Sequence, residues 1–300
     1  MNTESDISVP PKVLQQLEGR VRRALRSGDD DELEVLGYGE ISCVLGVEVD
    51  GASLAAKRLP RFEDRRAFGE YQDLFEQYLV ELNNSGVQPV RSDLQVVDDD
   101  KPGIQAYCLQ PRLDAEAVGP EVLRNHNRSR ARQFLRDVVD ATADAVDDRL
   151  GIDAQLSNWV ITDEGLRYLD VTTPMLRASD GEPLLDTDMF LASLPWALRG
   201  VVDAFLVEQI LEQYHQRRRV LLDMAANLYK ERLTGWIPTL LEWINRRVSP
   251  PVTLQECRRY YRRDALMWEV LLRLRRLDER WQRKVRRRPY PFLLPGDIQR

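Results

Sequence analysis

The sequence predicts an α+β protein, with a small antiparallel sheet and one helix towards the N-terminus and a mostly helical remainder. Three observations carry this. Residues 33–59 hold short apolar runs broken by glycine turns and by Asp50-Gly51, a dipeptide that favours tight hairpins. Residues 63–83 then change period, so that Phe68, Tyr71, Phe75, Tyr78, Leu79 and Leu82 share one helical face. From about residue 120 the spacing is helical, interrupted only by a strand–turn–strand at 159–169.

The elements follow in order. Residues 1–32 form a lead-in whose Val13, Leu14, Leu17, Val21 and Leu25 recur at helical spacing, ended by Gly28-Asp29-Asp30-Asp31. Residues 33–111 form the sheet unit. In it, strands 94–97 and 104–109 make a second hairpin, and Gln110-Pro111-Arg112 leads out. Residues 112–250 form the helical unit, with helices expected over 126–150 and near 186–206, 206–233 and 235–247. Residues 251–300 form an arginine-rich helical arm.

Composition narrows the function classes. An apolar share of 43% supports a sizeable core, and with 31% charged residues the chain does not read as broadly disordered. No apolar run is long enough to span a bilayer. The polar start MNTESDISVPPK lacks a basic n-region and an apolar h-region, so the expected location is the cytoplasm. Cys43, Cys108 and Cys257 are scattered and odd in number, which fits neither a disulfide framework nor a zinc site. The two histidines sit in no metal pattern, His126 reading as a polar helix-entry residue and His215 as a surface position, and no GxSxG elbow is present. Of 43 basic residues only five are lysines, a bias that suggests a GC-rich bacterial genome. Lys57 is unusual among them because its segment, Leu54-Ala55-Ala56-Lys57, reads as a half-buried strand.

Four features occur in a fixed order. Gly37-Tyr38-Gly39-Glu40-Ile41-Ser42 lies between two strands, and Ala55-Ala56-Lys57 lies in the next strand. Asp153-Ala154-Gln155-Leu156-Ser157-Asn158 follows a long helix, and Asp170 closes the strand Leu166–Leu169. Glycines let backbone N–H groups approach phosphate closely. An ammonium balances phosphate charge, and an amide and a carboxylate oxygen suit magnesium, a hard cation.

This order resembles the protein-kinase-like superfamily, over roughly residues 33–175. It is nearer to small-molecule phosphotransferases of the aminoglycoside and choline type than to conventional protein kinases. The resemblance implies a bilobal fold with a small antiparallel-sheet N-lobe and a helical C-lobe. It implies ATP and Mg2+ as cofactors, with Gly37, Gly39, Ser42 and Lys57 on the phosphates and Asn158 and Asp170 on the metal. Asp153 becomes the catalytic carboxylate. The family lysine pairs with a glutamate of the following helix, for which Glu76 is the first candidate and Glu70 the second. A hinge is expected at Gln110–Leu113, with Leu109 and Gln110 on the adenine and Pro111 removing one donor.

Several positions depart from a conventional protein kinase. Ser42 replaces a third glycine, and Gly151-Ile152 precedes Asp153 where His-Arg would stand. Gln155 takes the lysine position, and Val171-Thr172 follows Asp170. No Ala-Pro-Glu occurs further on. The expected function is therefore ATP-dependent phosphoryl transfer to a hydroxyl of a small molecule. The alternative is a pseudokinase-like nucleotide-binding or scaffold protein without turnover. Residues 258–288 carry 13 Lys+Arg against four Asp+Glu in a chain of net charge -6, so an anionic partner is a further expectation for the arm.

Overall fold

The computed structural model describes residues 7–38, 42–99, 101–125, 127–186, 211–288, 290 and 293. Gly39, His126 and the helices expected between 187 and 210 lie outside them. The chain begins with α1 (Pro11–Ser27) and the strands β1 (Val35–Tyr38), β2 (Cys43–Val49) and β3 (Ala52–Arg58). Then come α2 (Arg65–Asn84), β4 (Asp93–Val96) and β5 (Ala106–Pro111). The five strands form one antiparallel sheet in the order β1-β2-β3-β5-β4. Asp50 and Gly51 turn β2 into β3 with φ of 49° and 82°, the left-handed pair that matches strand twist.

The sheet is covered on both faces. Strand alternation turns Leu45, Leu54, Ala56, Tyr107 and Leu109 outward, where Leu14, Leu17, Val21 and Leu25 of α1 close over them. One charged residue lies inside this contact. Glu18 is buried, and its carboxylate accepts Arg58 at 2.9 and 3.0 Å, Arg22 at 2.9 Å and the Tyr107 hydroxyl at 2.7 Å. Four donors on one carboxylate compensate its desolvation. On the other face, α2 presents Tyr71, Leu74, Phe75, Tyr78 and Leu82 to Ala106 and Cys108. Asp64 caps α2 by accepting the Ala67 N–H at 2.8 Å.

That inner core continues into the helical region without a break. Its described elements are α3 (Gly119–Asn125), α4 (Arg128–Ala145), the hairpin β6 (Trp159–Thr162) and β7 (Gly165–Tyr168), α5 (Arg217–Lys230), α6 (Ile237–Ile244) and α7 (Leu254–Lys284). The helix expected from 126 thus runs 128–145, and the expected hairpin is present. His215 is a correction: it is buried, with Nε2 at 3.1 Å from the Met175 carbonyl and Nδ1 at 3.3 Å from that of Leu211.

The basic arm is also more than an appendage. A capping box of Thr253 and Glu256 starts α7, and Arg218 of α5 pairs with Glu256 at 2.9 Å. Tyr261 stacks on Tyr229 at 5.3 Å. At the far end, Arg283 donates to the Arg26 carbonyl at 3.0 Å, beside the C-terminus of α1. Gly28 ends α1 at φ 83°, and a Cβ there would lie 2.8 Å from the Arg283 guanidinium. Leu293 packs on the α1–sheet core. The α7 helix therefore ties the helical region to the sheet unit.

Candidate functional site

Lys57 stands on β3 opposite Val44 of β2 and Cys108 of β5. Because Leu54 and Ala56 face α1, alternation turns Ala55 and Lys57 to the inner face. There the Lys57 ammonium meets Asp170 Oδ1 at 2.7 Å, across 113 residues of sequence. Asp170 also accepts the Thr172 hydroxyl at 3.3 Å. Burial alone would raise the Asp170 pKa, but Lys57 and the Thr172 hydrogen bonds outweigh it, so the carboxyl titrates below its ordinary value. Burial pushes the neighbouring Cys108 thiol up to about 12, which keeps it a neutral wall.

The hairpin β6–β7 brings Asn158 to Asp170. Trp159 pairs with Tyr168, Gly165 makes the turn at φ 109°, and the Leu169 N–H donates to the Asn158 carbonyl at 2.8 Å. Asn158 Nδ2 donates to the Asp153 carbonyl at 3.0 Å, which leaves Oδ1 directed elsewhere. The Tyr168 hydroxyl donates to that same carbonyl at 3.1 Å. Asp153 Oδ1 accepts the Gln155 N–H at 3.2 Å, an Asx turn that folds the loop on itself. Behind it, the Gly151 N–H donates to the Met175 carbonyl at 2.8 Å and the Tyr78 hydroxyl to the Gly151 carbonyl at 3.0 Å. Gly151 is close-packed, since a Cβ would lie 3.0 Å from the His215 ring.

The structure thus joins the Lys57 and Asp170 side chains, ties the Asn158 backbone to the residue before Asp170, and sets the Asn158 amide on the Asp153 carbonyl. Ser42 is half-buried just before β2, and Gly37 lies in β1 with open space around it. Glu76 is a correction. It is exposed and accepts from Gln72 at 3.2 Å, while Glu70 is exposed and paired with Arg66 at 2.9 Å. Val80, one turn further along α2, is exposed as well. On the inward face of α2, Tyr71 reaches the segment after Asp170: its hydroxyl donates to the Thr172 carbonyl at 3.0 Å.

Leu109 needs a correction too. The Val97–Gln105 and Arg112–Ser53 backbone bonds, at 2.8 and 3.0 Å, set the alternation along β5. In an antiparallel ladder that alternation aims both backbone groups of Leu109 at Asp93, its partner on β4. Pairing with β4 stops there, while β3 follows β5 to Pro111. The first backbone positions on that edge beyond the ladder are the Pro111 carbonyl and Leu113. Gln110 plays another part: its Nε2 donates to Ser92 and to the Leu169 carbonyl, both at 2.9 Å, and so ties β5 to the residue before Asp170.

Asp223 of α5 belongs to no motif in the sequence. Burial raises its pKa to about 6, an effect that Tyr260 and Gln155 partly offset. Its only sequence signal is an acidic residue among the apolar positions of α5. Tyr71 and Tyr78 had a clearer one, two tyrosines seven apart on the buried face of a helix.

Fold and site define an α+β protein in which a sheet lysine and a hairpin aspartate form an ion pair beneath a covered sheet. The chain belongs to a family of unknown function, DUF6206, whose profile matches residues 16–279. Among solved structures it is similar to MAP kinase LmaMPK10 from Leishmania major. That match has 11% identity and a TM-score of 0.35, and covers 82% of this chain and 72% of the kinase. No curated protein matches.

Proposed function

We propose that the chain is a protein-kinase-like protein that binds ATP with magnesium and transfers its terminal phosphoryl group to a hydroxyl of a small molecule. The observation that carries this reading is the Lys57–Asp170 pair at 2.7 Å, with Asn158 hydrogen-bonded into the same hairpin. The donor set suits magnesium: Asp170 is held ionised, and the amide oxygen of Asn158 is turned away from the bond made by its nitrogen. Asn158 and Asp170 would hold the ion, which supplies charge neutralisation at the phosphates. Lys57 would exchange part of its contact with Asp170 for phosphate oxygens. Gly37, Gly39 and Ser42 would bring backbone and hydroxyl donors to them. The Pro111 carbonyl and Leu113, rather than Leu109, would meet the adenine edge. Asp153 would orient the acceptor hydroxyl and take its proton late in the transfer.

One observation favours a second reading, nucleotide binding without turnover. Among the described residues, the ion-pair partner of Lys57 is Asp170 and no acid of α2 reaches it. Calorimetric titration with ATP, with and without magnesium, tests the shared part of both readings. Absence of magnesium-dependent binding overturns them together. Transfer of labelled terminal phosphate, screened across metabolite extracts, then separates them: binding without transfer to any acceptor selects the second.

A further inference from the structure

The α7 helix presents a face that neither the lobe contacts nor the candidate site uses. It runs 31 residues, about 45 Å at helical rise, and both ends are fixed, by Glu256 to Arg218 and by Arg283 to the Arg26 carbonyl. At 100° per residue, Leu266, Val270 and Leu277 fall on one side of it, and they are 63%, 49% and 59% exposed. Met267, 53% exposed, flanks them. The same side carries exposed Arg259, Arg262, Arg263, Arg280 and Lys284, none with an acidic partner among the described residues. Its one acid, Glu269, is neutralised by Arg273 at 2.6 Å.

We infer that this face of α7 docks on an anionic lipid surface. The argument is charge complementarity together with apolar content. Five unpaired cations on one helix face attract an anionic interface, and aliphatic side chains between them gain by entering its headgroup–acyl boundary. A second copy docked through the same face would set like charge against like. A nucleic-acid backbone would reward the arginines but leave Leu266, Val270 and Leu277 unrewarded. The helix is already formed and anchored at both ends, so docking pays no cost of ordering it. The inference stands independently of phosphoryl transfer.

Co-sedimentation of the full chain with phosphatidylglycerol/phosphatidylcholine vesicles, against phosphatidylcholine alone, tests it. Binding is expected on the anionic vesicles, weakening by about 100-fold in Arg259→Glu/Arg262→Glu/Arg263→Glu as three attractive charges reverse. Leu266→Ser/Val270→Ser/Leu277→Ser should weaken it by at least about tenfold, through loss of apolar insertion. All six side chains are exposed, so unchanged urea unfolding verifies that both variants fold. Equal, weak sedimentation with both vesicles overturns the inference. So does a serine variant that binds like wild type while duplex RNA competes for the chain, which would assign the face to nucleic acid. A dimer of wild type that the serine variant abolishes would assign it to a second copy and overturn it as well.

Discussion

Replacing Glu18 by Gln should destabilise the chain by about 3–5 kcal/mol, the range for breaking a buried ion pair from one side. The structure supports the upper part of that range. The Glu18 side chain is 2% exposed and that of Arg58 14%, so the guanidinium is left without its counter-charge in a nearly dry contact. The Tyr107 hydroxyl, at 2.7 Å, loses a charged acceptor for about 1 kcal/mol more, although the new amide oxygen recovers part of it. The pH dependence has a definite sign. Burial raises the Glu18 pKa, but Arg58, Tyr107 and Arg22 outweigh it, and the folded-state value lies below the ordinary 4.5. A depressed carboxyl pKa contributes stability above the unfolded-state value and loses it as pH falls through the folded value. The gap between wild type and Glu18→Gln should therefore be constant above about pH 5 and narrow as pH drops below 4.5. Urea unfolding at a series of pH values measures this. A gap under about 0.5 kcal/mol at pH 7, or one that widens in acid, refutes the role given to the network.

Lys57→Met should weaken magnesium-ATP binding by at least about tenfold while leaving a cooperative urea transition, since one charged contact to phosphate is lost. Asp153→Asn should abolish transfer yet leave magnesium-ATP affinity within about threefold, because Asn158 and Asp170 hold the metal. Tyr71→Phe should cost about 1–2 kcal/mol by urea unfolding through the orphaned Thr172 carbonyl, 3.0 Å away, and should weaken magnesium-ATP binding more than that of ATP alone. Gly28→Val should cost about 1–3 kcal/mol, from a left-handed backbone and a displaced Arg283; an unchanged melting temperature would show that this end of α7 is not anchored.

The local rules carried most of the fold. Apolar runs between turn signals located the five strands and the β6–β7 hairpin, and helical spacing located α1 and α2, because turns and a one-sided apolar face are written locally in the sequence. What failed depended on tertiary direction. Spacing placed Glu76 near the inward stripe of α2, but the helix turns Tyr71, Leu74, Phe75 and Tyr78 inward and leaves Glu76 and Val80 in solvent. His215 looked polar in a run of arginines, yet the Leu211 and Met175 carbonyls give it buried partners. Leu109 sat at the right place in the chain, but which edge a backbone group faces depends on register, set here by bonds made at Gln105 and Arg112. Asp223 left no pattern, because Gln155 and Tyr260, the groups that lower its raised pKa, come from separate segments.

With Tyr71, and not the expected glutamate, turned inward from α2, the charge balance at the proposed phosphates changes. With a glutamate on α2, Lys57 would have two acids competing for it and Asp170 would remain free for metal. Here Lys57 and Asp170 satisfy each other at 2.7 Å, and Tyr71 reaches the same segment only through the Thr172 carbonyl. A polyphosphate entering alone would have to draw Lys57 off Asp170 and leave that carboxylate beside its own negative charge, which is unfavourable at this separation. Entry together with a divalent cation removes the conflict, since the cation takes over Asp170 as Lys57 turns to phosphate. The arrangement therefore favours the metal–nucleotide complex over the bare nucleotide more strongly than one with an acid on α2 would. A chain that bound ATP equally well with and without magnesium would contradict that assignment of Lys57 and Asp170.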